Sequence, residues 1–369
     1  MKLTPSGAHV DSFGDSVSMS GDTLLVGSGT SNKAFVFVRS GATWIEQAEL
    51  TRPAASSRFA YGVSISGNTA LVSSNGASIL AYVFVRSGTT WTQQAALTTT
   101  DPSNYYYKTV AMSGNTAVVG MSISRAVYIF VRSGTSWSQQ AKLTSLTYGD
   151  SFGAAVAIDG DSVIVGAPYD EGNRITHGCV YVYVRSGTSW IEEASCYTEA
   201  YGLYSNSGGR IGGAVAIRGN IAVVGNQDGQ SALVLFRYGG TGQWNQRADY
   251  KLIGGGGFGH SVAISGTCDT HCSQGECTVA IGAPYVGDRN SGSAYVFKCG
   301  QTRGDVTSGN GVTITEIDTV WIQDAQVVVD GHGAAYPGGS EMLGTSVAIS
   351  PDTLAAGADG EGSVYTFAY

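Results

Sequence analysis

One phrase recurs along this 369-residue chain and constrains its fold more than any other feature. An apolar segment is followed by Ser-Gly-Asp/Asn-Thr, a second apolar segment, a variable stretch, a third apolar segment that usually ends in Val-Arg-Ser-Gly, and then a Trp before Gln-Ala-x-Leu-Thr. Such self-similarity predicts that one supersecondary unit is repeated. The first-turn position is occupied in turn by Gly21, Gly67, Gly114, Gly160, Gly219, Gly266 and, in the seventh copy, Pro351.

Each copy predicts four β-strands, which we call a, b, c and d. In the first copy they cover residues 17–20, 23–27, 34–39 and 44–51. The a–b link is two residues long and begins with Gly, which a type II′ turn requires, and the c–d link also has hairpin length. Strand c is apolar on both faces and should be buried on both, whereas strand d is half polar, as expected of an outer edge strand.

Seven such units stacked face to face predict an all-β fold, a seven-bladed β-propeller of four-stranded antiparallel blades. The last copy lacks strand d, and Lys2-Leu3-Thr4 matches the end of strand d in another copy, Lys142-Leu143-Thr144. We therefore expect the N-terminal strand to close the ring, with residues 1–369 forming a single propeller domain. The predicted blades span roughly 12–51, 58–98, 105–144, 151–198, 210–252, 257–329, and 342–369 plus 1–4.

Composition excludes several classes of protein. Only 13% of the residues are charged and the net charge is −8, so the chain lacks the basic footprint of a nucleic-acid-binding protein. Hydrophobic residues make up 43%, which is enough for a core and argues against disorder. Since no run of 18 apolar residues occurs, we expect no direct membrane insertion.

Short motifs at two points of the repeat identify a family resemblance. Gly-Ala-Pro follows strand b at residues 166–168 and 282–284. Strand a opens with Phe13-Gly14, Phe152-Gly153 and Phe258-Gly259, with weaker forms at Tyr61-Gly62, Ile211-Gly212 and Leu343-Gly344 and a departure at Tyr107-Lys108. These units resemble the FG-GAP repeat of the integrin α-subunit propeller over nearly the whole chain. The resemblance implies the propeller fold and an adhesion-type role, but a fold alone is weak evidence for function.

The calcium loops of the family do not carry over. Integrin-type repeats often place DxDxDGxxD between strands a and b, whereas the link here is too short to wrap a calcium ion. Asp170, Glu171 and Asn173 in blade four, and Asp288 and Asn290 in blade six, offer oxygen atoms in b–c loops. Solvated turn residues are the favoured interpretation, so we expect no metal and no cofactor.

The cysteines lie only in blades four and six. A register in which Arg185 faces Trp190 also places Cys179 opposite Cys196, which predicts a bridge between them. In blade six we predict two local bridges with partners left open, and zinc binding is the less favoured alternative. Disulfides imply an oxidising compartment, so we expect a secreted or cell-surface protein. The blade-six cysteines are Cys268, Cys272 and Cys277 in an enlarged a–b hairpin, and Cys299 at the end of strand c.

Strand order places the d–a and b–c loops on one rim, the top rim, and the a–b and c–d turns on the lower rim. The top loops are rich in tyrosine, which combines apolar area with a polar tip and is typical of binding surfaces. The candidate binding residues are Tyr105, Tyr106, Tyr107, Tyr148, Tyr169, Tyr201, Tyr204, Tyr285 and Tyr336. The Trp that recurs at the start of strand d is expected to serve packing instead.

Two further motifs are weaker indications of function. The first is a set of histidines and aspartates that open strand a in neighbouring blades and could form a metal or acid–base site if the loops brought them together. The second is Arg303-Gly304-Asp305 in a flexible lower-rim loop, where a chance match is favoured over recognition by an integrin. The first set comprises His9, His260, His332, Asp11, Asp15 and Asp330.

These observations predict a non-catalytic extracellular adhesion or scaffold propeller, which binds a protein or glycan partner through its top-rim loops. One alternative is a lectin-like carbohydrate-binding propeller. A second alternative is a polysaccharide-degrading propeller enzyme. A lectin should repeat its pocket residues from blade to blade, and the variety of the top loops favours the first interpretation.

Overall fold

The computed structural model of the protein consists almost entirely of β-strands. Within the described residues the chain forms 28 strands and two 3-10 turns, with no α-helix. No helix in this part of the chain is long and apolar enough to cross a membrane. The described residues are 1–6, 10–52, 57–75, 78–101, 108–145, 150–170, 178–195, 210–238, 243–268, 277–286, 291–307, 313–328 and 342–369.

The strands group into seven four-stranded antiparallel sheets. Blade one comprises β2 (Phe13–Ser20), β3 (Thr23–Ser28), β4 (Lys33–Ser40) and β5 (Thr43–Thr51). Blade two comprises β6 (Ser57–Ser66), β7 (Thr69–Asn75), β8 (Ile79–Ser87) and β9 (Thr90–Thr98). Blade three comprises β10 (Lys108–Ser113), β11 (Thr116–Met121), β12 (Ala126–Ser133) and β13 (Ser136–Thr144). Blade four comprises β14 (Ala155–Asp159), β15 (Ser162–Ala167), β16 (Cys179–Ser186) and β17 (Ser189–Ser195).

The remaining blades follow the same order. Blade five comprises β18 (Ile211–Arg218), β19 (Ile221–Asn226), β20 (Ser231–Tyr238) and β21 (Gln243–Ile253). Blade six comprises β22 (Ser261–Ser265), β23 (Thr278–Ala283), β24 (Ser293–Thr307) and β25 (Thr313–Val328). Blade seven comprises β26 (Leu343–Ile349), β27 (Thr353–Ala358), β28 (Ser363–Ala368) and the N-terminal β1 (Lys2–Leu3).

The a strands form the inner wall of a closed ring. Each packs against the a strand of the next blade, from β2 and β6 round to β22 and β26, and β26 packs against β2. Serine hydroxyls from the preceding blade cover the inward-facing edge of strand a. In blade two, the Val63 amide donates to the Ser16 hydroxyl and the Ile65 amide to the Ser18 hydroxyl, both at 3.1 Å. The serines at alternate positions of strand a therefore accept hydrogen bonds from backbone amides at a sheet edge that would otherwise be unpaired.

The N-terminal strand closes the ring, as the sequence predicts. Leu3 pairs with Val364 and Lys2 with Tyr365, so β1 is the outer strand of blade seven. Leu3 is buried in a cluster that combines residues of blades seven and one, including Val364 and Phe13. Residues from the two ends of the chain thus share one core.

Packing explains the Phe-Gly and Gly-Ala-Pro motifs. The ring of Phe152 is buried edge-on against Tyr181, at a centroid distance of 5.2 Å, and so fills the top of its own blade. The glycine of strand b lies against the Phe-Gly carbonyl of the next blade, because a Cβ atom on Gly166 would overlap the carbonyl oxygen of Gly212. Neighbouring blades approach too closely for any side chain there.

In blade two the Phe-Gly position lies two residues earlier than the sequence predicts. Phe59 is fully buried and packs edge-on against Tyr82, with centroids 6.1 Å apart, as the other motif phenylalanines do. The carbonyl of Ala60 lies against Gly27 of blade one, and Ala60 has a φ of +69°. The assignment to Tyr61-Gly62 is therefore wrong, because Phe59 takes the buried site.

A β-bulge in blade four makes the register of strands c and d differ from the predicted one. Arg185 faces Trp190 as expected, but the pairing shifts between Val182 and Tyr183, so that Tyr181 faces Ser195. The constant register that placed Cys179 opposite Cys196 is therefore wrong by one residue. Cys179 is disulfide-bonded and buried. Cys196 lies outside the described residues, and the pairing itself stays a prediction.

Blade six contains the two longest strands, of 15 and 16 residues. Arg303-Gly304-Asp305 lies within β24, where Gly304 pairs with Glu316. The expectation of a flexible loop for this tripeptide is therefore wrong. Cys299 also lies inside β24 rather than at the end of strand c, because the hairpin continues beyond the length that the other blades share.

Candidate functional site

The candidate site is the top rim, where the sequence places the tyrosine-rich loops. Tyr169 and Tyr285 are described, and both follow strand b directly after Gly-Ala-Pro, in blades four and six. Their side chains are 51% and 39% exposed. The other candidates, Tyr105, Tyr106, Tyr107, Tyr148, Tyr201, Tyr204 and Tyr336, lie outside the described residues.

Tyr169 is held at the junction of blades four and five. Its amide donates to the carbonyl of Asp150 at 3.2 Å, which ties the b–c loop to the d–a loop of the same blade. The guanidinium of Arg210 lies over its ring, 5.3 Å from the centroid. Arg210 in turn pairs with Asp228, with Nε and Oδ2 3.1 Å apart. The ring is thus oriented by a cation–π contact while half of it faces solvent.

Tyr285 is held in a similar way by glycine and histidine. Its amide donates to the carbonyl of Gly256 at 2.8 Å. Its ring lies on Gly257, where a Cβ atom would be 2.6 Å from ring atom Cδ2, and the ring of His260 meets it edge-on at 6.0 Å. The backbone therefore leaves space for this ring, which keeps one side in solvent.

Two isoleucines extend this surface, and neither is among the sequence-derived candidates. Ile123 lies in the b–c loop of blade three and is 54% exposed, and Ile253 ends strand d of blade five and is 72% exposed. Together, Ile123, Tyr169, Ile253 and Tyr285 follow the top rim through blades three to six, and we call them the top-rim arc. The other large hydrophobic side chains that are exposed in the described ranges are Met1, Ile45 and Ile191, on outer strands or next to one.

Of the histidine and aspartate candidates, His260, Asp11 and Asp15 lie in the described part of the chain, so the site itself stays a prediction. Nδ1 of His260 lies 3.1 Å from the carbonyl oxygen of Thr345 in blade seven, and burial lowers its pKa, so the ring is neutral at pH 7. His9, His332 and Asp330 lie outside the described residues.

Asp15 contacts a second carboxyl group. It hydrogen-bonds Asp359 of blade seven across the closing junction of the ring, and its Oδ2 accepts from the Gly29 amide at 3.2 Å. Burial, followed by the hydrogen bond and charge of Asp359, raises the pKa of Asp15 to about 8. Asp15 therefore holds a proton at neutral pH, as a general acid would. The carbonyl of Asp11 serves loop structure and accepts from the Ser28 hydroxyl at 2.6 Å.

The oxygen-rich b–c loop of blade four has a structural contact at its first residue. Asp170 is buried, and its Oδ2 accepts from the hydroxyl of Tyr181 at 2.6 Å. In the described ranges no group of three or more His, Cys, Asp or Glu side chains is placed to hold a metal ion. The other predicted ligands, Glu171, Asn173, Asp288 and Asn290, lie outside those ranges.

Comparison with known families agrees with the repeat that the structure shows. The FG-GAP repeat family model matches residues 1–43, 137–183 and 254–297. These stretches contain Phe13-Gly14, Phe152-Gly153 and Phe258-Gly259, the copies in which the Phe-Gly motif is intact. A search among curated proteins finds no match to the chain.

Proposed function

From the premise that this chain is an FG-GAP repeat protein with a seven-bladed propeller fold, we propose that it is a non-catalytic extracellular module which binds a partner through the top-rim arc. FG-GAP propellers are in general interaction and adhesion scaffolds, so the fold suggests a scaffold of this type. The partner, the binding surface and the compartment are the proposal.

The exposed top-rim arc is the observation that carries the proposal. Blades three to six each place one large, exposed apolar side chain on the same rim. Tyrosine is enriched among interface hot spots, and a ring already held in place loses little entropy on binding. Tyr169 and Tyr285 meet both conditions, because Arg210 orients the first and Gly257 seats the second.

The cysteines support the extracellular part of the proposal. Cys268 and Cys277 form a disulfide, and the described residues contain no free cysteine. Structural disulfides persist in oxidising compartments and are rare in the cytosol. A secreted or surface-exposed propeller is consistent with this chemistry.

A glycan ligand is the second candidate. Tyr169 and Tyr285 occupy equivalent positions after Gly-Ala-Pro, so an exposed aromatic platform is repeated in two blades. Such repetition is what a lectin requires, since an aromatic face can stack on a sugar ring. The proposal assigns Asp15 a structural role, because its contacts with Asp359 and Gly29 lie in the blade junction.

Site-specific photocrosslinking tests the proposal. Benzoylphenylalanine is placed at position 169 or 285, with positions 45 and 191 as controls, because Ile45 and Ile191 are 58% and 57% exposed on outer strands. The labelled protein is incubated with the extracellular fraction of its source. We expect one partner to crosslink at the top-rim positions and not at the controls. Equal labelling at all four positions contradicts the proposal.

The partner is then used to measure affinity. We expect Tyr169→Ala/Tyr285→Ala to weaken binding by about 2 kcal/mol or more, as for hot-spot tyrosines, and Ile45→Ala/Ile191→Ala to leave it unchanged. Loss of glycan-array binding in the tyrosine variant, without a protein partner, favours the lectin alternative. Cleavage of a polysaccharide by the purified protein, abolished by Asp15→Asn, shows the enzyme alternative to be right.

A further inference from the structure

An arginine at the end of strand c joins each of blades one to five to the blade before it. In blade two, Arg86 donates from Nε to Asn68 in its own a–b turn at 2.9 Å, and from Nη1 to the Thr23 hydroxyl of blade one at 3.1 Å. Its guanidinium also lies 5.4 Å from the ring of Trp91. We call this arrangement the arginine clasp. The clasp arginines and their partners in the preceding blade are Arg39 with Thr353, Arg86 with Thr23, Arg132 with Thr69, Arg185 with Thr116, and Arg237 with Ser162.

In blade six a cysteine takes the place of the clasp arginine. Cys299 faces Trp321 across the c–d hairpin, just as Arg39 faces Trp44 in blade one. The amide of Cys299 donates to the carbonyl of Cys277 at 3.0 Å, which repeats the 2.8 Å bond from the Arg39 amide to the turn residue Asp22. Cys299 and Cys277 therefore occupy the backbone positions of the arginine and of its turn partner.

The other half of the clasp is missing at the same junction. The position that offers a Thr or Ser hydroxyl in the other clasped junctions is Ile221 in blade five, at the start of strand b. Ile221 is fully buried and belongs to one apolar cluster with Cys268, Cys277 and Cys299. An arginine would find no acceptor hydroxyl here, and apolar sulfur suits the site better.

The bridged hairpin also touches blade five directly. Cys268 and Cys277 are disulfide-bonded with their Cα atoms 4.8 Å apart. Two residues before Cys268, the Gly266 carbonyl accepts from Nε of Arg218 in blade five at 3.2 Å. The Cys268 carbonyl lies so close to Gly219 that an added Cβ would be 3.0 Å from its oxygen. The base of this hairpin is therefore part of the contact between blades five and six.

We propose that the disulfide-bonded cysteines of blade six replace the arginine clasp between blades five and six, which makes this junction of the ring redox-sensitive. Cys299 is disulfide-bonded, like Cys277. Disulfides therefore hold the positions of the clasp arginine and of its turn partner, which polar contacts hold in the other blades. Reduction by a dithiol such as dithiothreitol supplies two electrons and two protons to each bridge. The bridge opens to two thiols, and the reductant closes to its cyclic disulfide. The arginine clasps contain no reducible bond.

Hydrogen exchange measured by mass spectrometry on the full chain, with and without dithiothreitol, tests this proposal. We expect the reduced protein to lose protection in β19, β22 and β23, while β3, β7 and β11 keep theirs because arginine clasps hold their junctions. Unchanged exchange in blades five and six would overturn the proposal, and so would a uniform loss around the ring. A background in which Cys179 and Cys196 are both replaced by Ala confines the reduction to blade six.

A rescue variant separates the clasp from general stabilisation by disulfides. Ser265 pairs with Thr278 as Ser20 pairs with Thr23, so replacing residues 267–277 by a single Asp restores the Ser-Gly-Asp-Thr turn. Adding Cys299→Arg and Ile221→Thr completes an arginine clasp and removes every blade-six cysteine. We expect β22 and β23 of this variant to be protected with or without reductant. If β22 and β23 of the variant are less protected from exchange than in the reduced parent, the proposal is contradicted. If the variant does not fold, the exchange of the parent protein with and without dithiothreitol decides.

Discussion

The carboxyl groups of Asp15 and Asp359 share a hydrogen bond across the junction where the ring closes. Burial and the second carboxylate raise the pKa of Asp15 from 3.8 to about 8, so the folded protein keeps a proton that the unfolded chain releases. The stability that this proton provides is complete below about pH 4 and is lost as the pH rises through about 8.

We therefore expect Asp15→Asn, which imitates the protonated acid, to flatten the decline of stability between pH 4 and pH 8 and to raise the melting temperature at pH 8. Thermal melts across this range check the prediction. Asp22→Asn is the matched control, since blades two and three carry Asn in that turn, and it should keep the slope of the parent. If the melting temperatures of Asp15→Asn and of the parent fall equally between pH 4 and pH 8, the proton of Asp15 does not have the role argued above.

Removing residues 1–5 should destabilise the ring at blade seven. Without β1 the outer edge of β28 is open, and the cluster around Leu3 loses one member. We expect a lower melting temperature and aggregation. The single change Leu3→Ala should cost about 2–5 kcal/mol, as for other buried leucines, whereas Thr4→Ala on the exposed neighbour should cost little. Equal melting of the truncated and parent proteins shows that the N-terminal strand is dispensable.

Non-reducing peptide mapping should find three bridges. The structure contains Cys268–Cys277 and disulfide-bonded Cys179 and Cys299. We predict that Cys179 pairs with Cys196, which leaves Cys272 for Cys299. A free thiol, or a peptide that links blade four to blade six, is inconsistent with local bridging.

Calcium should not affect folding. The a–b turns of blades one to five are too short to supply six to eight oxygen ligands. Because an ion that binds the native state raises its stability by mass action, thermal melts in EDTA and in millimolar calcium compare the two conditions directly. We expect them to coincide. A rise of many degrees in calcium points to a site near Asp170 or Asp288.

Turn chemistry and the repeat made the blades predictable. The Gly of each Ser-Gly-Asp/Asn-Thr turn has positive φ, for example 54° at Gly21 and 56° at Gly67, which few residues other than glycine tolerate. Because these turns alternate regularly with apolar segments, the sequence predicts four antiparallel strands in each unit. The seventh unit lacks strand d, which predicts that the N-terminal strand closes the ring. The turn residues and the apolar pattern of the strands thus favour the same structure as the whole propeller.

The remaining features depend on contacts that no short segment encodes. The bulge between Val182 and Tyr183 adds a residue inside a hairpin whose turn and Trp are unchanged, so the sequence does not reveal the shift in register. Asp15 and Asp359 belong to opposite ends of the chain and meet only when the ring closes. The sequence does not mark Ile253 as exposed, because β-branched residues are typical of buried strand positions, whereas this one ends a strand at the rim.

The close contact between Gly166 and the Gly212 carbonyl also defines how blades recognise one another. Six of the seven units present a strand-b glycine to a backbone carbonyl at the start of strand a in the following unit, and blade two has Ser73 at the glycine position. This is a heterologous, head-to-tail interface within one chain. Gly357 of the last blade meets the carbonyl of Gly14 in the first in the same way, so the closing junction is built like the internal ones. A circular permutant that starts before blade four, with the natural termini joined, therefore retains every inter-blade contact of this kind. The ring depends on the cyclic order of its units rather than on which unit is made first.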